Sequence, residues 1–411
     1  MNKDFRNLGS HYNKYIYPKP IENIEEEVIK KKIVPYADPN FNWHILWPEK
    51  PYNLRSLRIL IAGCGSDQAS VLARCNPNHK FIGVDFSEQS INHQKKLKQK
   101  NNLNNLELIC DDFRNVIFKK KFDYIISTGV LHHLVNPGTA LDYFYNNLKD
   151  KGVIYLMIYG DKQSYSLKEI KKIFNTVNLK HNHKSIEVAK RTILNLNSKH
   201  PAKIFSQNTT DFDHDAGIVD FLLHKKERFF EINEIIKLLK KHKLIIKNFF
   251  DGKISSITKF FLYDIDCLNI MRNLDLSKKL ELGQILNWDD RKIKIVICKD
   301  KEVNNSLIYN KNKIEKIYIY PNRSLDYSIN ENTIIIKEKD LEKEWEINIP
   351  NNLFIDWETI FEGKVPLSYV LNNIDNHMKI KAKNLFEILI ENNFVDVSLN
   401  PIGNYTENYG K

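Results

Sequence analysis

Between residues 57 and 159, short apolar runs alternate with stretches of helical spacing. The first run, Ile59-Leu60-Ile61-Ala62, breaks at once into Gly63-Cys64-Gly65, and helix-compatible residues follow from Asp67. Four apolar residues in a row suit a strand buried on both faces of a parallel sheet. The alternation then repeats: strand 58–62 and helix 67–75, strand 80–85 and helix 88–100, and strand 106–110 before a loop. Strand 122–127 leads to helix 139–148, and strand 153–159 follows an Asp150-Lys151-Gly152 turn. A βαβα series with short connections predicts an α/β fold with a doubly wound, mainly parallel sheet. Ligands of such sheets bind at the carboxyl ends of the strands. Gly63, Asp85, Asp112 and Thr128 all fall there.

The pattern changes after Tyr159. Leu167, Ile170, Ile173, Phe174 and Val177 predict a helix over 166–177, and a second follows over 185–195. The stretch 211–228 is acidic, apolar and basic in turn; helix 233–242, strand 244–250 and strand 293–298 then complete a seven-stranded sheet. The organisation read from this is a core over 51–160 and 231–300 with a helical lid inserted at 161–230. Residues 301–411 read as a small α+β unit, winged-helix-like, with strands at 317–320, 333–337, 345–349 and 394–399 and helices near 356–361, 367–374 and 380–391. Residues 1–50 carry Tyr12, Tyr15, Tyr17, Trp43 and Trp47 around a short helix at 22–32. This aromatic cap reads equally as packing against the core or as a flap that excludes water from a ligand.

Composition narrows the field. At 411 residues, 42% of them hydrophobic, the chain is large enough for two or three units with a sizeable core. The sequence holds no apolar run that would span a bilayer and no apolar signal segment. Five scattered cysteines without a CxxC pair fit a reduced setting, and a cytoplasmic protein is expected. The net charge of +11 is uneven, with −4 in residues 301–411 against +15 in residues 1–300. Solvated helix faces account for that excess better than a nucleic-acid groove.

The glycine turn lets backbone N–H groups approach a ligand. Asp85 closes the second apolar run, placed to accept hydrogen bonds from both ribose hydroxyls of an adenosine-containing cofactor. With IAGCGSDQA, IGVDFS, LELICDDF, FDYIISTGVLHHLVNPGTAL and LKDKGVIYLMIYG in this order, residues 57–160 resemble the core of class I S-adenosylmethionine-dependent methyltransferases. The pieces YIYPKP, NWHILWP and DAGIVDFLLHKKER resemble a bacterial subgroup of unassigned acceptor. The resemblance implies S-adenosyl-L-methionine as cofactor. Gly63, Cys64 and Gly65 would line its methionine and ribose part, Asp85 would hold the ribose, and Phe86 would cover one adenine face. The adenine amino group would meet Asp112, with Asp111 the alternative, beside Phe113; Thr128 and Gly129 would border the sulfonium. One departure stands out. The family has Asp or Glu where this chain has Ile61, and Asp67 or Gln68 could substitute. The third glycine of GxGxxG falls at Gln68, so a nicotinamide dinucleotide is not indicated.

The sulfonium is already activated, so the protein must align an acceptor at about 3–3.5 Å and exclude water. A base helps where the acceptor carries a proton. His132 and His133 follow the fourth strand, and as neighbours they should point apart, poor joint metal ligands. Asp211, Asp213, His214, Asp215, Asp220, His224 and Arg228 come from the insertion. Asp213-His214-Asp215 lacks a second ligand cluster, so no metal is expected. A helix at 218–224 would put Asp220 and His224 on one face, as an acid–base pair or a surface ion pair. The acceptor expected is a small molecule or a group on a peptide or protein, with homo-oligomerisation through residues 301–411 as a further expectation. The alternatives are an RNA or tRNA acceptor, a non-catalytic cofactor-binding scaffold, and propylamine transfer, which lacks a carboxylate-rich polyamine groove.

Overall fold

The computed structural model describes residues 16–401 except 17, 53–55, 163, 181, 225–226, 251–254, 288–290, 302–310, 323 and 339–342. Tyr12, Tyr15 and Tyr17 of the expected cap lie outside the described residues. Seven strands, β1 (Arg58–Ala62), β2 (Lys80–Asp85), β3 (Leu106–Cys110), β4 (Phe122–Thr128), β5 (Leu148–Tyr159), β6 (Leu244–Phe249) and β7 (Lys292–Lys299), form one sheet ordered β3-β2-β1-β4-β5-β7-β6. Strands β1 to β5 pair in parallel, and β7 runs antiparallel to both β5 and β6.

The continuous apolar runs are explained by the two faces. Leu60 and Ala62 pack into one core and Ile59 and Ile61 into the other. Strand β5 divides likewise, with Ile154, Leu156 and Ile158 on one side and Tyr155, Met157 and Tyr159 on the opposite one. Helices α1 (Gln68–Cys75), α2 (Glu88–Lys100) and α3 (Pro137–Asn147) follow β1, β2 and β4. Ser87 and Asn136 cap α2 and α3 by accepting the N–H of Ser90 and Gly138. Strand order reverses between β1 and β4, which opens the crevice above that pair. The Asp150-Lys151-Gly152 turn is instead part of β5: the strand starts at Leu148, and its register with β4 shifts between Phe122 and Tyr124. An irregular pairing absorbs the polar triplet without ending the strand.

The described part of the N-terminal segment packs against the core, one of the two roles foreseen for it. Trp43 and Trp47 are buried under the sheet, Trp47 edge-on to Tyr124 at 5.8 Å, and the Tyr124 hydroxyl donates to the Ala37 carbonyl at 3.1 Å. The expected helix at 22–32 is only a π-turn over Glu25–Ile29, whose Lys30 N–H reaches the Glu25 carbonyl at 2.9 Å. Helices α4 (Tyr165–Thr176), α5 (His183–Asn195) and α6 (Pro201–Gln207) gather a separate apolar cluster with Ile218, Val219 and Phe221–Leu223. Helix α7 (Ile232–Lys241) precedes β6, and α8 (Ile265–Asn273) and α9 (Leu276–Leu286) precede β7.

Beyond β7, strands β8 (Tyr318–Pro321), β9 (Leu325–Ile329), β10 (Thr333–Glu338), β11 (Glu344–Asn348) and β12 (Val395–Ser398) form a three-stranded sheet, β11-β10-β9, and a β12-β8 pair. They share an apolar core with helices α10 (Trp357–Phe361), α11 (Leu367–Asn372) and α12 (Asn376–Glu391). Strand β9, LDYSI, was passed over in the sequence reading although Leu325, Tyr327 and Ile329 alternate with polar residues as a half-exposed edge strand should. This part touches the rest through a His44–Asp396 contact of 3.3 Å, Arg272–Glu391 at 2.7 Å, and the Pro48 carbonyl, which accepts from Leu399, Ser398 and Asn400. Among the described residues no helix is long and apolar enough to cross a membrane.

One buried histidine makes the fold sensitive to acid. The Leu57 N–H donates to His79 Nδ1 at 3.3 Å, and Nε2 lies 2.9 Å from Asn40 Oδ1, so the partners assign a neutral ring protonated on Nε2. Burial lowers its pKa to about 4. The unfolded chain takes up this proton near pH 6.5 and the native one only near 4, so stability is complete above 6.5 and falls as pH drops between them. The group contributes on the order of 3 kcal/mol to that loss. Urea unfolding of the native chain should weaken across this window, and His79→Gln should flatten the slope. Equal slopes in both proteins would refute the assignment.

Candidate active site

The glycine turn is held from three sides. Gly63 and Gly65 adopt φ of +78° and +55°, and the N–H groups of Gly63 and Cys64 both reach the Val84 carbonyl, at 2.8 and 3.1 Å. Asp85 accepts the Gly65 N–H at 2.8 Å through Oδ2 and the Ser87 N–H at 2.9 Å through Oδ1. Gln94, fully buried on α2, donates to the carbonyls of Cys64 and Gly65 and accepts the Ser70 N–H. Asp85 and Gln94 therefore supply the anchoring that a carboxylate at the Ile61 position would give; Ile61 itself is wholly buried core. Gln68 instead donates to the Thr128 hydroxyl at 3.1 Å. Gln94 was missed because a polar residue on a basic helix carries no sign of facing inward.

Asp85 is 9% exposed, and burial raises its pKa against the opposing backbone donors of Ser87, Gly65 and Phe86. It faces a cavity of about 440 Å³ that runs along the carboxyl ends of β1, β2, β4 and β5. Gly63, Cys64, Gly65, Gln68, Phe86, Asp111, Asp112, Phe113, Thr128 and Gly129 all line it, as do Pro18, Ile21, Val28, Pro35 and Tyr36 from the N-terminal segment. The structure thus brings every cofactor-site candidate from the sequence to one cavity. Asp112 is committed to Arg114 by a bidentate pair with a shortest distance of 2.8 Å, whereas Asp111 stands exposed and accepts the Asp112 N–H and Asn115 through Oδ1. Phe113 is also core, stacked on Phe144 at 5.4 Å.

The far end of the same cavity is formed by Met157, Tyr159, Asp220, Phe221 and His133. The expected helix at 218–224 resolves into a short α-turn, Asp215–Ile218, and a π-turn, Val219–Leu223. Asp220 consequently faces His133 Nε2, 4.0 Å away, and the His224 ring packs against His133 at 4.6 Å. His132 and His133 do not point apart: their rings meet at 4.2 Å, because a 3-10 turn over Leu131–His133 swings both inward. His132 stacks on Tyr159 at 4.2 Å outside the cavity lining, and burial pushes its pKa well down. Among the described residues neither of its ring nitrogens has a hydrogen-bond partner. Burial first, then Lys171 and Arg291, lower His133 to about 3, so its ring is neutral at physiological pH.

Lys171 and Arg291 are the further residues that the sequence reading passed over. Lys171 pairs with Glu227, and the Arg291 guanidinium is clamped between Tyr159 and Phe221, 3.8 and 4.0 Å from the ring centres. Lys171 occupies an apolar-stripe position of α4 beside Leu167, Ile170 and Phe174, which was a readable signal; Arg291 had none. His132, His133 and Glu227 bring donor atoms within 4.8 Å of one another, close enough for a metal. Charge argues against one, since Lys171 and Arg291 already balance Glu227 and Asp220, and a divalent ion would leave a buried excess. Asp215 pairs with Lys190 and Arg228 with Glu234, while Asp213 lines a separate cavity on the helical block. His214 stands before the α-turn with no cap bond, and the Asp211 side chain lies outside the described residues.

A family model described as "Methyltransferase domain" matches residues 54–209. Residues 54–209 carry a methyltransferase domain. The match starts just before β1 and runs through the helices beside the crevice. A likeness in fold extends over most of the chain: PKMT2 from Rickettsia typhi, in complex with AdoHcy, is similar with a TM-score of 0.64 at 14% identity over 88% of this chain and 75% of that one. A second structure of PKMT2 from Rickettsia typhi gives 0.62 at 15% identity, over 88% and 76%. An uncharacterized protein of Synechococcus sp. is 26% identical over 135 residues, 30% of this chain and 32% of its own length. The match therefore spans about a third of that curated relative.

Proposed function

We propose that the protein transfers the methyl group of S-adenosylmethionine by in-line displacement to an acceptor held between Met157, Tyr159, Phe221 and His133. The observation that carries this is the single cavity joining the Asp85 ribose position to that apolar, aromatic end. Its lining holds five carboxylates, Asp67, Asp85, Asp111, Asp112 and Asp220, against one amine, Lys292. A cationic sulfonium suits such a lining and a doubly phosphorylated dinucleotide does not. PKMT2 of Rickettsia typhi holds AdoHcy, the demethylated product, which supports the same reading.

In the reaction, the acceptor lone pair attacks the methyl carbon as the carbon–sulfur bond breaks, leaving S-adenosylhomocysteine. The N-terminal segment and the lid at 161–230 exclude water from this line of attack. Neutral His133, with Asp220 beside it, accepts a hydrogen bond from an acceptor that carries a proton and orients its lone pair toward the methyl group. The apolar and aromatic side chains at this end, Met157, Tyr159 and Phe221, favour a small molecule or a side chain of a peptide or protein. The acidic unit over 301–411 is read as a docking or self-association module.

Turnover of S-adenosylmethionine to S-adenosylhomocysteine with metabolite and peptide mixtures is the test. His133→Phe should reduce kcat by roughly 100-fold while leaving S-adenosylhomocysteine affinity within about twofold. Activity that collapses steeply with added salt would point to a nucleic-acid acceptor instead. Tight cofactor binding with no turnover in any mixture would leave a binding protein.

A further inference from the structure

A row of stacked side chains runs from the histidine turn into the lid. The His132 ring lies 4.2 Å from Tyr159 of β5, and the guanidinium of Arg291, just ahead of β7, lies 3.8 Å from the same ring. Arg291 is also 4.0 Å from Phe221 in the lid π-turn and 5.1 Å from Phe205 of α6. Phe212 ends the row, 6.0 Å from both Phe205 and Phe221. Arg291 thus stands where the core rings meet the lid rings. It is 5% exposed, and among the described residues it forms no ion pair and its two terminal nitrogens have no hydrogen-bond partner. Ring faces hold this cation, and it holds them in return.

The backbone of the same residue sits at the root of the lid. Its carbonyl accepts the Gly160 N–H at 2.7 Å, where the chain enters the lid. Phe230, where the chain leaves it, donates to the Tyr159 carbonyl and accepts from Asp161, both at 2.9 Å. Arg291 therefore fastens the lid twice, at its root through the backbone and at the cavity through Phe221. Tyr159 and Phe221 both line the acceptor end, and Arg291 reaches that end through them. An alkyl chain would fill the same space, but a flat cation also sets how the two rings face it. Resting on the methyl-donor reading, we propose that Arg291 is a positioning residue, a pin that locks the lid ring Phe221 to the core ring Tyr159 and so completes the acceptor half of the cavity. The nucleoside half, built on the glycine turn and Asp85, stands without it.

Hydrogen exchange and calorimetry on the full chain test this, with S-adenosylhomocysteine as the ligand and the metabolite and peptide mixtures as acceptors. Arg291→Lys keeps the charge and loses the flat plate. It should speed amide exchange over 212–223 about tenfold or more and leave β1 to β4 unchanged. Turnover should fall about tenfold or more, with S-adenosylhomocysteine affinity held within about twofold. Phe221→Leu removes the lid partner, so in the double variant the two effects should overlap rather than add. Arg291→Ala should regain slow lid exchange with ethylguanidinium and not with ethylammonium, a rescue that lost packing alone would not show. Unchanged lid exchange, additive substitutions, equal losses of turnover and affinity, or rescue by both cations alike would overturn the assignment. Native protein that binds no S-adenosylhomocysteine would overturn the methyl-donor reading itself, and lid exchange stays readable without the ligand.

Discussion

Asp85→Ala is expected to lower affinity for S-adenosylmethionine and S-adenosylhomocysteine by at least about 100-fold. Each of its oxygens already holds a backbone N–H, from Gly65 and from Ser87, so the carboxylate is rigid and correctly turned before any ligand arrives. Two ribose hydroxyls donating to an ionised acceptor contribute about 3 kcal/mol or more together, which converts to that ratio. Truncation also frees the Gly65 N–H and loosens the turn that must lie against the nucleoside. Asp85→Asn keeps one acceptor oxygen and should fall between the two. Titration calorimetry reads all three proteins, and unchanged affinity in the alanine variant would remove the nucleoside from this cleft.

Gly63→Ala should destabilise the fold by about 2–5 kcal/mol. A side chain at φ +78° costs about 1–2 kcal/mol in backbone strain alone. A Cβ there would also lie 2.3 Å from Val130 Cγ2, well inside contact distance, and overpacking adds about 1–3 kcal/mol. The two parts are separable. Adding Val130→Ala to Gly63→Ala should recover the steric share and leave the backbone share, a split that denaturant unfolding of both variants measures. An unfolding midpoint for Gly63→Ala equal to that of the native chain would contradict the geometry.

Much of the sheet was legible because its signal is local. A strand buried on both faces must be apolar at every position, and each run from β1 to β4 ends in glycine, acid or a polar turn residue. The cofactor candidates were legible for the same reason, since they sit at the ends of those runs. What could not be read is what arises from packing between distant segments. The inward swing of His132 and His133 depends on a 3-10 turn, and the approach of Asp220 to His133 depends on a π-turn; neither has a propensity signature. Arg291 is understood only once Tyr159 and Phe221 are seen to enclose it. Strand β9 was legible in the alternation of LDYSI and was passed over, while the start of β5 was lost because a polar triplet resembles a turn.

The Pro48 carbonyl has a consequence for how the chain is made. It is met by groups on Ser398 and Asn400, 350 and 352 residues further on, and by the Leu399 N–H. At about 5–20 residues per second on the ribosome, tens of seconds separate the two halves of this latch. The parallel strands can assemble in the meantime, but the segment carrying Trp43 and Trp47 stays unfastened at this point until translation reaches β12.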